Sequence, residues 1–189
     1  MLSNSILMLR SSDLIASGSE RDCYFFPKNE DLCVKVTHAR DRDKSQSQSD
    51  YKYYARLSKK LIDWSRVARC HGWVVTNKGD GLVFDLVKDV DGTPSMMLDK
   101  YLKLHGTNDE VMKELKELRQ YLIINNIMVC DLRDRNIACQ AGRDGLCLKL
   151  IDGVGNRDFI KLCDWWGFLG KRKINRHWKK LEKRARIYD

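Results

Sequence analysis

At 189 residues and 43% apolar composition, the chain can fold as one sizeable domain or as two small lobes sharing a core. Its early apolar run, Ile6–Leu9, is too short for a signal h-region, and no later window nears the ~20 apolar residues of a membrane span, so we expect a soluble, cytoplasmic protein. The formal charge of +9 is uneven: positions 171–189 hold nine Lys or Arg against two acids, which makes the basic character a C-terminal property.

Taken in chain order, Leu14 to Phe26 reads as two strands joined by the turn-like "SGSERD" at Ser17–Asp22, followed by a strand "LCVKV" at Leu32–Val36. Alternation puts Lys35 on the face opposite Val34 and Val36. The polar run Asp41–Ser49 predicts a loop, leading into a helix through about Trp64 with Tyr54, Leu57, Leu61 and Trp64 on one face. "WVVT" and "GLVFDLV" predict a hairpin over Trp73–Val87 that turns at Asn77–Asp80. Past a linker at Asp89–Pro94 come a short helix at Ser95–Leu104 and a longer one. The longer helix begins at a capping box of Thr107 and Glu110, buries Val111, Leu115, Leu118 and Leu122, and stops near Asn125-Asn126. Ile137–Cys139 and Leu146–Asp152 predict a second hairpin. A last helix from about Lys171 aligns Ile174, Trp178, Leu181, Ala185 and Tyr188.

The order is sheet-rich up to residue 88 and helix-rich over 89–189, which predicts an α+β fold of two lobes in one domain. The seven cysteines contain no Cys-x-x-Cys pair and read as reduced thiols, and the four histidines have no spacing suited to zinc.

"DLRDRN" opens with Asp131 and closes with Asn136, which fits the Asp-Leu-x-x-x-Asn core of a kinase catalytic loop. Phosphoryl transfer is mainly positioning and charge neutralisation, and parts for each task occur in order. Gly18 and Ser19 lie in a loop able to approach phosphates. Lys35 is a strand cation, Asp50 an acid positioned to orient it, and Asp85 to Val87 a connection able to contact adenine through its backbone. Asp131 is placed to meet an acceptor hydroxyl, while Asn136 and Asp152 offer oxygens to Mg²⁺. Taken singly, each has a plainer reading: Lys35 as a solvent-facing strand residue, Asp152-Gly153 as a turn, Asp131 as a turn cap.

With "GSERDCY", "LCVKV", "YKYYARL", "DWSRVARCHG" and "RKINRHWKKLEKRA", the chain resembles the protein kinase-like superfamily and, within it, the bacterial YrbL family of PhoP regulatory network proteins. The resemblance implies a bilobal kinase-like fold using ATP and Mg²⁺. In it Asp131 is the catalytic base, Lys35 contacts phosphate, and Asn136 and Asp152 hold metal. Val129-Cys130 stand where His-Arg is usual, Gly153 where a Phe is usual, and Asp50 where a Glu is usual. No Ala-Pro-Glu follows Asp152, which suggests a minimal kinase with a reduced second lobe. Two function classes stay open: a phosphotransferase acting on a hydroxyl of a protein, sugar or lipid head group, and a pseudokinase serving as a regulatory binding module. The basic terminal helix reads as a solvated face or as a dock for an acidic partner, a membrane surface or an acidic substrate; nucleic acid is a further reading, without a recognised motif. Trp165-Trp166 is expected to pack on that helix.

Overall fold

The computed structural model describes residues 6–38, 45–60, 62–156 and 167–187. They form two compact units, one from the residues up to Arg56 with Arg69–Leu86, the other from Leu57–Ala68 with Val87 onward. The class is α+β, a β-rich sheet region with a few helices. The expectations for Leu61, Cys163, Trp165-Trp166 and Tyr188 fall outside the described residues.

In the first unit β1 (Leu14–Ser17), β2 (Arg21–Phe26), β3 (Asn29–Thr37), β4 (Cys70–Thr76) and β5 (Gly79–Asp85) pair antiparallel in the order β1-β2-β3-β5-β4. The central strand β3 is buried over Cys33–Val36, on both faces. Val34 and Val36 pack with Tyr24, Val74 and Val83, and Leu7 and Leu9 from the N-terminal segment complete that core. Gly81 on β5 permits this packing, because a Cβ there would lie 2.5 Å from Val34 Cγ1. The β4–β5 hairpin begins at Cys70, earlier than expected, and turns at Asn77-Lys78.

Helix α1 spans Ser45–Leu57, so the expected loop at Ser45–Ser49 is helical and the helix ends well before Trp64. Trp64 sits at φ 56, a left-handed conformation that no helix interior accommodates. Ser is a middling helix former, and contacts from distant residues help hold the first turns. Buried Ser47 shares a 3.2 Å hydrogen bond with Thr37 Oγ1, and Asp50 is ion-paired to Arg21.

The second unit holds α2 (Leu98–His105), α3 (Asp109–Ile124), α4 (Gly167–Ala185) and a three-stranded sheet ordered β6 (Met96–Met97), β7 (Ile137–Gly142), β8 (Gly145–Leu150). Met96-Met97, expected to be helical, pairs instead with Cys139 and Ala138. The cap of α3 is Asn108 rather than Thr107: its Oδ1 accepts the Val111 N–H at 2.9 Å, and Glu110 turns outward to accept Leu146 N–H. Val111, Leu115, Leu118 and Leu122 are buried as the periodicity predicts; full burial of a leucine contributes about 1.5–3 kcal/mol. The helix stops at Asn125, and Asn126 adopts φ 46.

Buried Glu114 accepts from Arg66 Nη1 at 2.6 Å and from Leu148 N–H at 3.1 Å, tying the 57–68 segment and β8 to α3. On α4, Ile174, Trp178 and Leu181 are buried. Arg186 at φ 54 and the Ile187 N–H bond to Glu182 O end that helix in a Schellman pattern. No described helix is long and apolar enough to cross a membrane.

Candidate functional site

Within the second unit, the left-handed Asn126 redirects the chain from α3 into Ile127–Val129, a run with no exposed surface. That run lies against the segment after β8. Val129 bridges Val154 antiparallel, Gly155 N–H donates to Met128 O, and the N–H groups of Cys130 and Asp131 both donate to Gly153 O, at 2.8 and 3.2 Å. Buried Leu132 anchors the chain beyond Asp131, and a 3-10 turn over Asp134–Asn136 reverses it. Asn136 then closes the loop twice: its Nδ2 donates to the Asp131 carbonyl at 2.9 Å, and its own carbonyl accepts Ile151 N–H at 2.9 Å.

Gly153 is the residue on which the two segments meet. It adopts φ +76, and a Cβ would fall 2.1 Å from the Asp131 carbonyl oxygen and 3.3 Å from Asn136 Nδ2. Its N–H donates to Asp152 Oδ1 at 2.7 Å, which fixes that carboxylate beside the turn. Asp131, Asn136 and Asp152 are therefore drawn together from three positions in the sequence. Because the Asn136 amide donates through Nδ2, its Oδ1 is left as an acceptor, so the cluster offers one amide and two carboxylate groups. That donor set suits a hard cation that also keeps water and phosphate oxygens. No group of three His, Cys, Asp or Glu suited to a metal forms among the described residues, so a cation here would draw on Asn136. Arg133, two residues beyond Asp131, bonds through Nε to Asp131 Oδ1 at 2.5 Å, with both side chains about one-third exposed.

The first unit gathers a second set. Lys35 stands opposite Cys23 on β2 and Leu82 on β5, is 9% exposed, and holds its Nζ 4.7 Å from the centre of the Phe84 ring. Asp50 on α1 is paired to Arg21 Nη1 at 2.9 Å, with both side chains nearly enclosed. Burial pushes the Cys70 thiol, at the start of β4, up to about 11.

The 17–22 turn is pinned at its base. Gly18 N–H donates to Arg21 O at 2.9 Å, and exposed Ser19 forms the tip. Asp22 accepts from Ser17 Oγ at 2.6 Å and pairs with His38 Nε2 at 2.9 Å; the Ser17 bond and His38 hold its carboxyl below the usual range. At Asp85 the carboxylate is committed to Arg69 N–H and to His71 Nε2, at 2.8 and 2.6 Å. Leu86 N–H donates to Asp31 O, and Val87 O accepts Ser95 N–H. Any ligand contact along Asp85 to Val87 must therefore use the backbone that remains.

The sequence-predicted residues fall into two groups, Asp131, Asn136 and Asp152 in the second unit, Gly18, Ser19, Lys35, Asp50 and Asp85 in the first, with Val87 opening the second unit's long segment. Sequence reasoning missed Arg21 and Arg133. Arg21 was hidden in a charged run that reads as a loop, although its place as first residue of β2 makes its side chain strand-directed. Arg133 was legible in principle as the one cation two residues from Asp131 and on the same short loop.

A family model described as "PhoP regulatory network protein YrbL" matches residues 7–186. Two proteins, each bearing the name "Uncharacterized protein YrbL", one from Escherichia coli (strain K12) and one from Shigella flexneri, are each 31% identical to the chain over 181 residues. The matches cover 93% of this chain and 86% of each relative.

Proposed function

We propose that this chain, which belongs to the YrbL family, is an ATP- and Mg²⁺-dependent phosphotransferase of kinase-like bilobal fold. In this reading residues 1–88 form the β-rich lobe, residues 89–189 a reduced helical lobe, and the protein works in the cytoplasm. Asp131 aligns an acceptor hydroxyl and takes its proton as the oxygen attacks the γ-phosphorus and ADP departs. Asn136 and Asp152 would hold Mg²⁺, which would supply charge neutralisation to the phosphates. Lys35 neutralises the phosphates, and the backbone around Asp85 and Val87 meets the base. Arg133 is the natural cation to offset charge developing beside Asp131.

The observation that carries the reading is the closure of Asn136 onto the Asp131 carbonyl beside Gly153. A loop serving only as a connection has no need of an amide that closes it onto the Asp131 carbonyl beside a left-handed Gly153, and that closure is what supports the reading. The test is Mg²⁺-dependent release of ADP, or autophosphorylation, by the wild type and by Asp131→Asn. Turnover that falls at least a hundredfold in the variant supports the proposal; equal turnover in the two proteins removes Asp131 from catalysis.

A regulatory binding module is the second reading, favoured by the Arg133–Asp131 ion pair, which occupies a carboxylate oxygen that a catalytic base would turn to the acceptor. It expects a nucleotide-dependent rise in Tm without turnover, whereas the enzyme expects both.

A further inference from the structure

We propose that the outward face of α4 docks on an anionic phospholipid bilayer. At about 100° per residue, buried Ile174, Trp178 and Leu181 occupy one side of the helix. Arg172, Arg176, Lys179, Lys180 and Lys183 fall on the opposite side within an arc of about 100°, and all five are exposed. Lys173, by contrast, turns inward and donates to Asn156 Oδ1 at 2.6 Å. Among the described residues no carboxylate pairs with any of the five. The one acid of the helix, Glu182, lies instead beside Met112 and Leu115 along α3. A straight row of cations about 16 Å long, at 1.5 Å per residue, repels itself and is relieved by a surface of opposite sign.

An apolar group distinguishes a bilayer from other polyanions. Phe168, in the first turn of α4, is 70% exposed with the Arg172 guanidinium 5.8 Å from its ring centre, and at about 100° per residue it borders the cationic arc. A lipid surface accepts the cations at its phosphates and this ring at its acyl boundary. Duplex nucleic acid would use the cations on its phosphates and leave the exposed Phe168 ring in water.

This inference is independent of the phosphotransfer reading. It is tested by sedimentation of the full chain with phosphatidylglycerol–phosphatidylcholine vesicles against pure phosphatidylcholine vesicles, across a salt series and with duplex DNA as competitor. Binding is expected to the anionic vesicles only and to weaken with salt. The variant Lys179→Glu/Lys180→Glu/Lys183→Glu should lower partitioning by about tenfold or more, and Phe168→Ala several-fold without changing the salt slope. Where charge reversal lowers the Tm, Lys179→Gln/Lys183→Gln takes its place. Failure to bind anionic vesicles at low salt overturns the proposal. So does a Phe168→Ala variant that binds vesicles as the wild type does while DNA competes fully, since that outcome describes a generic polyanion site.

Discussion

The side-chain amide of Asn136 donates to the backbone carbonyl of Asp131 at 2.9 Å, across five residues of chain. One neutral hydrogen bond contributes only about 1 kcal/mol to stability, yet this one sets which atom of the amide is left to meet a ligand. Asn136→Asp keeps the size and supplies oxygens but cannot donate to the carbonyl, and it places a third negative charge in the cluster. It should lower stability by about 1–2 kcal/mol in urea titration and shift the Mg²⁺ dependence of any turnover. A variant with unchanged midpoint and unchanged Mg²⁺ response would show that the bond organises nothing.

Gly153 has no substitute in this arrangement. Gly153→Ala brings a Cβ to within 2.1 Å of backbone oxygen at a φ of +76, so the strand–turn contact must open. The left-handed conformation alone costs about 1–2 kcal/mol for an L-residue, and the backbone clash adds to it. A loss of about 3 kcal/mol or more is expected from the denaturant midpoint. A change below about 0.5 kcal/mol, the scale of an ordinary surface substitution, would contradict the geometry.

Arg21 and Asp50 form a nearly enclosed pair within the first unit. Truncating one partner of a buried pair is more harmful than replacing both, because the surviving charge keeps its desolvation cost. Arg21→Met and Asp50→Leu should each destabilise, while the double variant recovers part of the loss, giving a coupling of about 1–3 kcal/mol in a double-mutant cycle. Additive single effects would argue that the pair is energetically idle.

Asp22 gives a pH prediction with a definite sign. Its carboxyl titrates below the ordinary 3.8, first through the Ser17 hydroxyl and then through His38, so its contribution is present above that value. The contribution is lost as pH falls through the lowered folded pKa. In Ser17→Ala the largest cause is gone, and stability should depend less steeply on pH below about 3.8 than in the wild type. Superimposable acid limbs for the two proteins would show that the Ser17 bond does not tune Asp22.

Several elements were readable because their determinants are local. Val34 and Val36 against Lys35 announce a strand whatever surrounds them, since side chains alternate by backbone geometry. Val111, Leu115, Leu118 and Leu122 announce a helix by the same kind of rule, and Asn125-Asn126 its end. The failures share the opposite property. Ser45–Ser49 is helical because Thr37 reaches Ser47 from β3 and Arg21 on β2 holds Asp50 in the next position of the helix, and Met96-Met97 is a strand because Cys139 and Ala138 lie alongside. No window of neighbouring residues contains those partners.

The site divides in the same way. Sequence alone determined the inventory: a carboxylate and an amide five residues apart, an Asp-Gly pair after an apolar run, and a lysine inside a strand, because spacing along a backbone of fixed geometry limits which groups can share a loop. Only the tertiary structure decided how those groups are held, namely the Asn136 bond to the Asp131 carbonyl, the place at Gly153 where a Cβ cannot fit, and the partners Arg133 and Arg21. Those are distances of a few ångströms between segments far apart in the chain, set by packing that no local rule encodes.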